Sequence, residues 1–544
     1  MQSFPVASNY MASLIPSNAH PMRLAIFQAL ALIVLLSGCT TLREKYIDAR
    51  PPSYALSQAA DSTLKKLAYT PHTPTDTTSG FILVDSPLDA LSSRLWLAEK
   101  AEKTLDVQYY IFRADNTGKL VISALLAAAD RGVRVRVLLD DIYTTEHESS
   151  MLALDSHPNI EIRLYNAFHY RGGSALTRLY EFFAKDGKPN RRMHNKLFAA
   201  DNQIAITGGR NIGDEYFQAG QDLSFVDLDV LAAGPIVNAL STSFDSYWNS
   251  NAVVPVRAIP GFKEARLHLP ALRNALHAHT QSLNASEYGQ SLTTLPMRAK
   301  LEAGTAPWQV AQGHAVYDPP EKAEGTSHVS DTLVGQMFGL KLNPARELIL
   351  ISPYFVPGNM GTQWLQYLRS QGVKVRILTN SLAANDVPLV HAGYAPYRIP
   401  LLKSGAEIHE LKPVPNRATS RPKAISSGSS RASLHAKSFV FDRENVFIGS
   451  FNFDPRSALL NTELGLLIRS PALAQQVASL AEIAMQPMNS YTLSLQKDEN
   501  QETRLIWTGQ NAGQIRVLDN EPESTPWQRF MLKLLSVLPI EQNL

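Results

Sequence analysis

Apolar positions fall in short runs of strand length, separated by longer stretches of helical period, and the whole alternation occurs twice. In the first half, Leu91 to Lys103 has helical spacing and Leu105-Asp-Val-Gln-Tyr-Tyr110-Ile-Phe reads as a strand. Gly118 to Arg131 then reads as a helix and Val133 to Leu139 as a second strand. In the second half, Leu348-Ile-Leu-Ile-Ser-Pro-Tyr354-Phe, a helical stretch and Gln371-Gly-Val-Lys-Val-Arg-Ile-Leu378 follow in the same order. Such alternation predicts an α/β fold, a mixed β-sheet flanked by helices.

Spacing ties the halves together. Gly132 precedes His194 by 62 residues and Gly372 precedes His435 by 63. Gly208 and Gly449 follow these histidines by 14 residues, and Asn211 and Asn452 by 17. Asp229-Val-Leu-Ala-Ala-Gly-Pro235 corresponds to Gly465-Leu-Leu-Ile-Arg-Ser-Pro471, which registers Asp227 with Glu463. A repeat of this length predicts two pseudo-symmetric lobes rather than a solenoid. The lobes are expected at 81–250 and 341–490. Residues 251–340, with a helix over Leu269–His279 and a strand over Trp308–Tyr317, read as an inter-lobe insert with no counterpart in either lobe. Residues 491–544 read as a C-terminal extension. Residues 39–80 read as a tether, with a short helix over Leu56–Leu67 and a Thr/Pro-rich linker over Tyr69–Ser79.

Composition changes this picture little. A hydrophobic fraction of 44% and a charged fraction of 18% fit a large globular chain. A net charge of +2 argues against bulk polyanion binding, and no nucleic-acid partner is expected. The N-terminus adds an address. Met22-Arg23 precedes an apolar run, Leu24 to Leu36, that ends in Ser37-Gly38-Cys39. A basic residue, a short apolar core and small residues read as a secretory signal over 1–38, with Met22 a candidate start. The run is short for a membrane-spanning helix. Cys39 is the sole cysteine, so no intrachain disulfide can form.

The strongest chemical signal is His194-x-Lys196-x4-Asp201, repeated as His435-x-Lys437-x4-Asp442. A histidine and a lysine two apart on a strand share a face. Two such pairs brought together suit a phosphodiester: one imidazole attacks phosphorus, the other protonates the leaving oxygen, and the lysines hold the anionic oxygens. With lysines supplying the positive charge, neither a metal nor a cofactor is expected.

These motifs, with Gly208-Gly-Arg-Asn-Ile-Gly-Asp214 after the first and Gly449-Ser-Phe-Asn-Phe-Asp-Pro455 after the second, resemble the phospholipase D superfamily over roughly residues 80–490. Asn190-Arg-Arg-Met-His-Asn-Lys-Leu197, Trp527-Gln-Arg-Phe530 and Leu538-Pro-Ile-Glu541 resemble its bacterial cardiolipin synthase C-type phosphatidyltransferases. The resemblance implies two phospholipase D-like lobes with the active site at their interface, His194 as nucleophile and His435 as acid/base. It implies Asn211 and Asn452 as phosphate-binding amides, and Asp201 and Asp442 as mainly structural members of the motif. Each histidine needs a carboxylate on its other nitrogen. The register puts Asp227 behind His194 and Glu463 behind His435.

The implied substrates are phosphatidylglycerol and phosphatidylethanolamine, joined by a phosphohistidine route into cardiolipin. Leu-Ser-Gly-Cys39 resembles a bacterial lipobox. Lipidated Cys39 would then anchor the protein to a membrane surface facing the periplasm, and Thr40 favours the outer membrane. A phospholipase D-type hydrolase using water is the alternative. A nuclease fits the near-neutral charge poorly, and a noncatalytic lipoprotein fits two intact motifs poorly. Lys412–Ser433, with five basic and no acidic residues, reads equally as a headgroup-gathering lip or a solvated loop. Tyr109, Tyr110, Tyr354 and Phe355 read as core-strand packing. Asp140 and Asp141 read as turn formers or pocket lining, and His147 and His391 as solvent-facing.

Overall fold

A computed structural model describes residues 51–57, 62–68, 77–144, 147–168, 190–220, 223–259, 268–413 and 431–536. The expected signal, Cys39, most of the basic segment before His435 and the final Leu538–Glu541 string lie outside these residues.

The first lobe starts with β1 (Ser79–Val84) and α1 (Pro87–Lys100). Ser86 caps α1 by accepting the Asp89 N–H, and Pro87 occupies the first turn, where a missing donor is harmless. Next come β2 (Thr104–Tyr109), α2 (Asn116–Asp130), β3 (Arg134–Asp140), β4 (Ile160–Tyr165), β5 (Leu197–Ala200), β6 (Ile204–Gly208), β7 (Leu223–Val226), β8 (Asp229–Ala233), α3 (Ile236–Trp248) and β9 (Val253–Pro255). The sheet runs β1–β8–β6–β5–β2–β3–β4–β9, with β2, β3 and β4 parallel and the other neighbours antiparallel.

After α4 (Leu269–Asn284), the second lobe repeats the scheme. It contains β10 (Gln309–Tyr317), β11 (Glu347–Ile351), α5 (Gly358–Ser370), β12 (Lys374–Asn380), α6 (Pro388–Tyr394), β13 (Glu407–Leu411), β14 (Arg431–Leu434), β15 (Lys437–Phe441), β16 (Asn445–Gly449), β17 (Leu464–Arg469), α7 (Pro471–Ala484) and β18 (Ser490–Lys497). Its order is β10–β17–β16–β15–β11–β12–β13–β18, with β11, β12 and β13 parallel. The turn from α2 into β3 and from α5 into β12 uses Gly132 (φ 93°) and Gly372 (φ 84°), a left-handed conformation that favours glycine.

Two expectations about the boundaries are corrected. β10 pairs with β17 as β1 pairs with β8, so it is the counterpart of β1 and opens the second lobe near residue 309. Its first residues also pair with β1, joining the two sheets edge to edge. The expected C-terminal extension likewise begins within a lobe strand: β18 pairs with β13 as β9 pairs with β4. A hairpin, β19 (Thr503–Asn511) and β20 (Gln514–Leu518), widens that edge, and α8 (Pro526–Ser536) follows. Both misjudged strands lie outside the motif-bearing centre, where pairing rather than residue pattern defines them. Part of the expected tether is also packed. The main chain at Pro51 and Tyr54 accepts hydrogen bonds from Arg163 and Arg134, and Leu64 is fully buried.

One apolar core is shared between the lobes. Phe244 and Trp248 of α3 belong to the same buried cluster as Leu473 and Val477 of α7, with residues of both sheets. Separate cores lie elsewhere in each lobe. The lobes also exchange backbone hydrogen bonds. β14 pairs in parallel with β7, and Met193 pairs in parallel with Thr462. The segment leading to each histidine is thus zipped to the opposite lobe.

Asp201 and Asp442 take no part in that junction. Each stands at the far end of its strand from the motif histidine and lysine, about five residues and roughly 16 Å beyond the lysine. Asp201 (φ 53°) accepts the N–H groups of Glu102, Lys103 and Thr104 at 2.7–2.9 Å, fixing the entry into β2. Asp442 accepts those of Ala345, Arg346 and Glu347 at 2.7–2.8 Å, at the entry into β11. Both members of the motif are therefore braces, the structural role the resemblance implies, and stand apart from the catalytic histidines and lysines. Asp201→Ala strands three donors and is expected to lower stability by about 3 kcal/mol. Urea unfolding would read that loss, with kcat of the folded protein unchanged.

Candidate active site at the lobe interface

His194 immediately precedes Asn195 and Lys196 at the start of β5, and His435 lies between β14 and β15. Both main chains are held by the other lobe. The His194 N–H donates to Thr462 O at 2.8 Å, and the His435 and Ala436 N–H groups donate to Val226 O at 2.8 and 3.0 Å. Thr462 and Val226 are the residues just before Glu463 and Asp227. That register decides the carboxylate partners. Glu463 Oε2 lies 2.9 Å from His194 Nδ1, and Asp227 Oδ2 lies 2.6 Å from His435 Nδ1.

The expected pairing within each lobe is thus overturned. The two dyads cross, because the inter-lobe ladder places each acid beside the opposite histidine. Asp227 has room because residue 209 is glycine: a Cβ there would fall 2.1 Å from its Oδ1.

The two dyads differ electrostatically. Burial raises the Asp227 carboxyl, but charge interaction and hydrogen bonding with His435 outweigh this and hold it near about 2. Burial pushes Glu463 up to about 7, with Lys196 and Ser450 only partly opposing it. His435 falls to about 4 through burial and the Lys437 charge, and His194 is lowered well below its usual value by burial, Lys196 and Lys437. Burial and the neighbouring lysines thus favour the neutral form of both imidazoles. With Nδ1 turned to a carboxylate, Nε2 is left as the reacting nitrogen.

Lys196 and Lys437 are buried, and each reaches back to the carbonyl of its own motif histidine. Lys437 Nζ also lies 3.0 Å from His435 Nδ1. Burial lowers both lysines, Lys437 to about 8, and each feels the acids of both dyads. An arriving phosphodiester would offer both ammonium groups a direct anionic partner. By offsetting their charge it would raise the imidazoles, readying one to carry a proton.

The remaining expected residues divide. Asn211 accepts the Ile111 N–H and donates to the Tyr216 hydroxyl at 2.8 Å, so one amide hydrogen is already engaged in holding Tyr216. Asn452 is buried, and its carbonyl oxygen has no hydrogen-bond partner among the described residues. Tyr109 and Phe355 pack as expected: Tyr109 accepts from Arg94, and Phe355 stacks on Phe453. Tyr110 instead stands edge-on to His194 with centroids 5.0 Å apart, and Tyr216 does the same to His435 at 5.1 Å. Tyr354 donates to Asp386 at 2.8 Å. His391 is buried rather than solvent-facing, 3.5 Å from Glu521.

Sequence reasoning missed a matched pair of positioning residues at the ends of β3 and β12. Asp140 accepts the Met193 N–H at 2.9 Å and pairs with Arg192. Asn380 accepts the Leu434 N–H at 2.9 Å and donates to Leu434 O at 3.0 Å. Each clamps the residue directly before a motif histidine. Their equivalent places in the repeat were the available signal.

These titrations predict a bell-shaped dependence of kcat/KM on pH. Glu463 is raised, so its carboxylate appears, and activity rises, as pH passes about 7. Lys437 is lowered, so its positive charge, and activity with it, is lost as pH passes about 8. Glu463→Gln is expected to remove the acid limb. Lys437→Arg is expected to move the alkaline limb upward.

Two αβ lobes meeting on paired histidine–carboxylate dyads and buried lysines define a phospholipase D-type site for phosphodiester chemistry. The match is specific: residues 96–248 and 341–483 fit the family described as cardiolipin synthase, PLD-like domain, and the chain belongs to that family. It is 42% identical to cardiolipin synthase C of Escherichia coli (strain K12), over 85% of this chain and 95% of that protein. It is 23% identical to cardiolipin synthase 1 of Staphylococcus aureus (strain COL), over 70% of this chain and 62% of that protein. The fold resembles the crystal structure of phosphatidylserine synthase from Haemophilus influenzae Rd KW20, with a TM-score of 0.52 at 15% identity, covering 85% of this chain and 95% of that one.

Proposed function

We propose that the protein synthesises cardiolipin by moving a phosphatidyl group through a histidine intermediate onto phosphatidylglycerol. The observation that carries this reading is the pair of crossed dyads with Lys196 and Lys437 in one buried site. The similarity to cardiolipin synthase C supports the product. In the first step His194 Nε2 attacks phosphorus, and protonated His435 gives its Nε2 proton to the departing alcohol oxygen. In the second, neutral His435 takes the proton of the phosphatidylglycerol hydroxyl. That oxygen attacks the phosphohistidine and His194 is released. The lysines neutralise the nonbridging oxygens as charge builds in both transition states.

The unequal acids support this division of roles. An ionised Asp227 stabilises positive charge on His435, the proton carrier, whereas Glu463 near 7 suits an imidazole that must begin neutral. Phosphatidylethanolamine, or a second phosphatidylglycerol, is the proposed donor. The lipobox-like end at Cys39 supports a lipid-anchored protein of the bacterial envelope, facing the periplasm and held in the outer membrane.

The test is product analysis. Purified protein is incubated in detergent micelles with labelled phosphatidylglycerol, with and without phosphatidylethanolamine. Labelled cardiolipin that disappears in His435→Ala is expected. Phosphatidic acid as the sole product would assign a hydrolase instead.

A further inference from the structure

α8 carries an apolar face that the rest of the described fold leaves open. The helix docks through Leu532 and Leu535 onto Leu382 and Ala392, the latter in α6. Trp527, Phe530 and Leu534 recur at i, i+3 and i+7 on another face and are 67%, 56% and 49% exposed. The Trp527 and Phe530 rings stack at 5.6 Å. Arg529 and Lys533 occupy the remaining, polar side. The apolar sector is therefore wider than the contact that holds the helix, whereas a helix that only covers a lobe is polar outside its contact.

Its position links this face to the site. α6 begins two residues after Asp386, whose carboxylate accepts the Tyr354 hydroxyl and bears on the Lys437 charge. The helix thus rides on the segment that follows Asp386.

We propose that the Trp527–Phe530–Leu534 face is a membrane-docking surface, and that its occupant is a bilayer containing anionic phospholipid. The rings and Leu534 would enter the boundary between headgroups and acyl chains, with exposed Lys533 meeting the phosphates and Arg529, which donates to Ser524, beside it. A protein partner fits less well. One face of an eleven-residue helix falls short of the roughly 800 Å² per partner of a standard interface. This inference rests on the reading that the substrates are phospholipids. A buried site that draws lipid from a bilayer needs a surface that holds the protein there, close in and oriented.

Insertion can be read without turnover. Full-length protein is mixed with vesicles of phosphatidylglycerol and phosphatidylethanolamine whose acyl chains carry bromine near the headgroup, and tryptophan quenching is recorded. Wild type is expected to show a quenched component that Trp527→Phe lacks. Phe530→Ser combined with Leu534→Ser is expected to raise the lipid concentration for half-maximal quenching about tenfold. Equal quenching in wild type and Trp527→Phe would overturn the proposal. So would a double variant that inserts normally but no longer self-associates in sedimentation. Trp527 quenching without cardiolipin formation supports the surface and counts against the function. Cardiolipin formation without it does the reverse.

Discussion

With phosphatidylglycerol as substrate, alanine at His194 or at His435 is expected to lower kcat by roughly 10⁶-fold, and both together by little more. The groups act as a unit. Without His194 no covalent intermediate forms, and without His435 a poor alkoxide must leave unprotonated from an anionic centre. Neither loss should unfold the protein. Both histidines lie at strand starts, and their main-chain bonds to Thr462 and Val226 do not need the imidazole. Steady-state cardiolipin formation, with circular dichroism as the fold control, checks this. Substantial activity in either variant would remove the two-histidine mechanism.

The second large effect is on the acids. Asp227→Asn keeps the shape of the carboxylate but offers an amide to His435 Nδ1, which favours the wrong tautomer and removes the charge that stabilises an imidazolium. A loss of about 10⁴-fold in kcat is expected, the scale known for the equivalent change in a serine protease triad. Glu463→Gln is expected to lose less near neutral pH, because Glu463 is already partly protonated there. Rate measurements on both variants across pH 6–8.5 would check the order. The crossed pairing also predicts which step each slows: Asp227→Asn the proton transfers through His435, and Glu463→Gln the attack by His194.

The repeat was legible because its centre is dictated by local rules. Gly132 and Gly372 mark the same helix-to-strand turn, and the apolar residues of the runs 133–139 and 373–378 are buried in the strands of both lobes. The strands β10 and β18 were not recognised as lobe members. Each closes the eight-strand order of its lobe, and its membership comes from its partner, β17 or β13, and not from its own residues. The two histidine–lysine pairs and both acids meet at the lobe junction, but the dyads were joined wrongly. Internal register equates Asp227 with Glu463 and His194 with His435, and is silent on whether partners come from the same lobe or opposite lobes. That was decided by the parallel pairing of β14 with β7 and of Met193 with Thr462. Asp140 was left between turn former and pocket lining, and Asn380 went unassigned, because a polar residue ending a strand serves turns as often as sites. Only the bonds to Met193 and Leu434 show what they hold.

The central claim is that each histidine works with the acid of the other lobe, and leaving-group rescue tests it most directly. A phosphatidyl ester of nitrophenol needs no proton on its departing oxygen, so formation of the phosphoenzyme from it bypasses the acid but not the nucleophile. Release of nitrophenolate in the first turnover is to be measured for the four variants His194→Ala, Glu463→Gln, His435→Ala and Asp227→Asn. Rescue of His435→Ala and Asp227→Asn together, with His194→Ala inert and Glu463→Gln still slowed, is the predicted result. If Glu463→Gln were rescued alongside His435→Ala while Asp227→Asn stayed slow with His194→Ala, the acids would serve the histidines of their own lobes and the crossed site would be wrong.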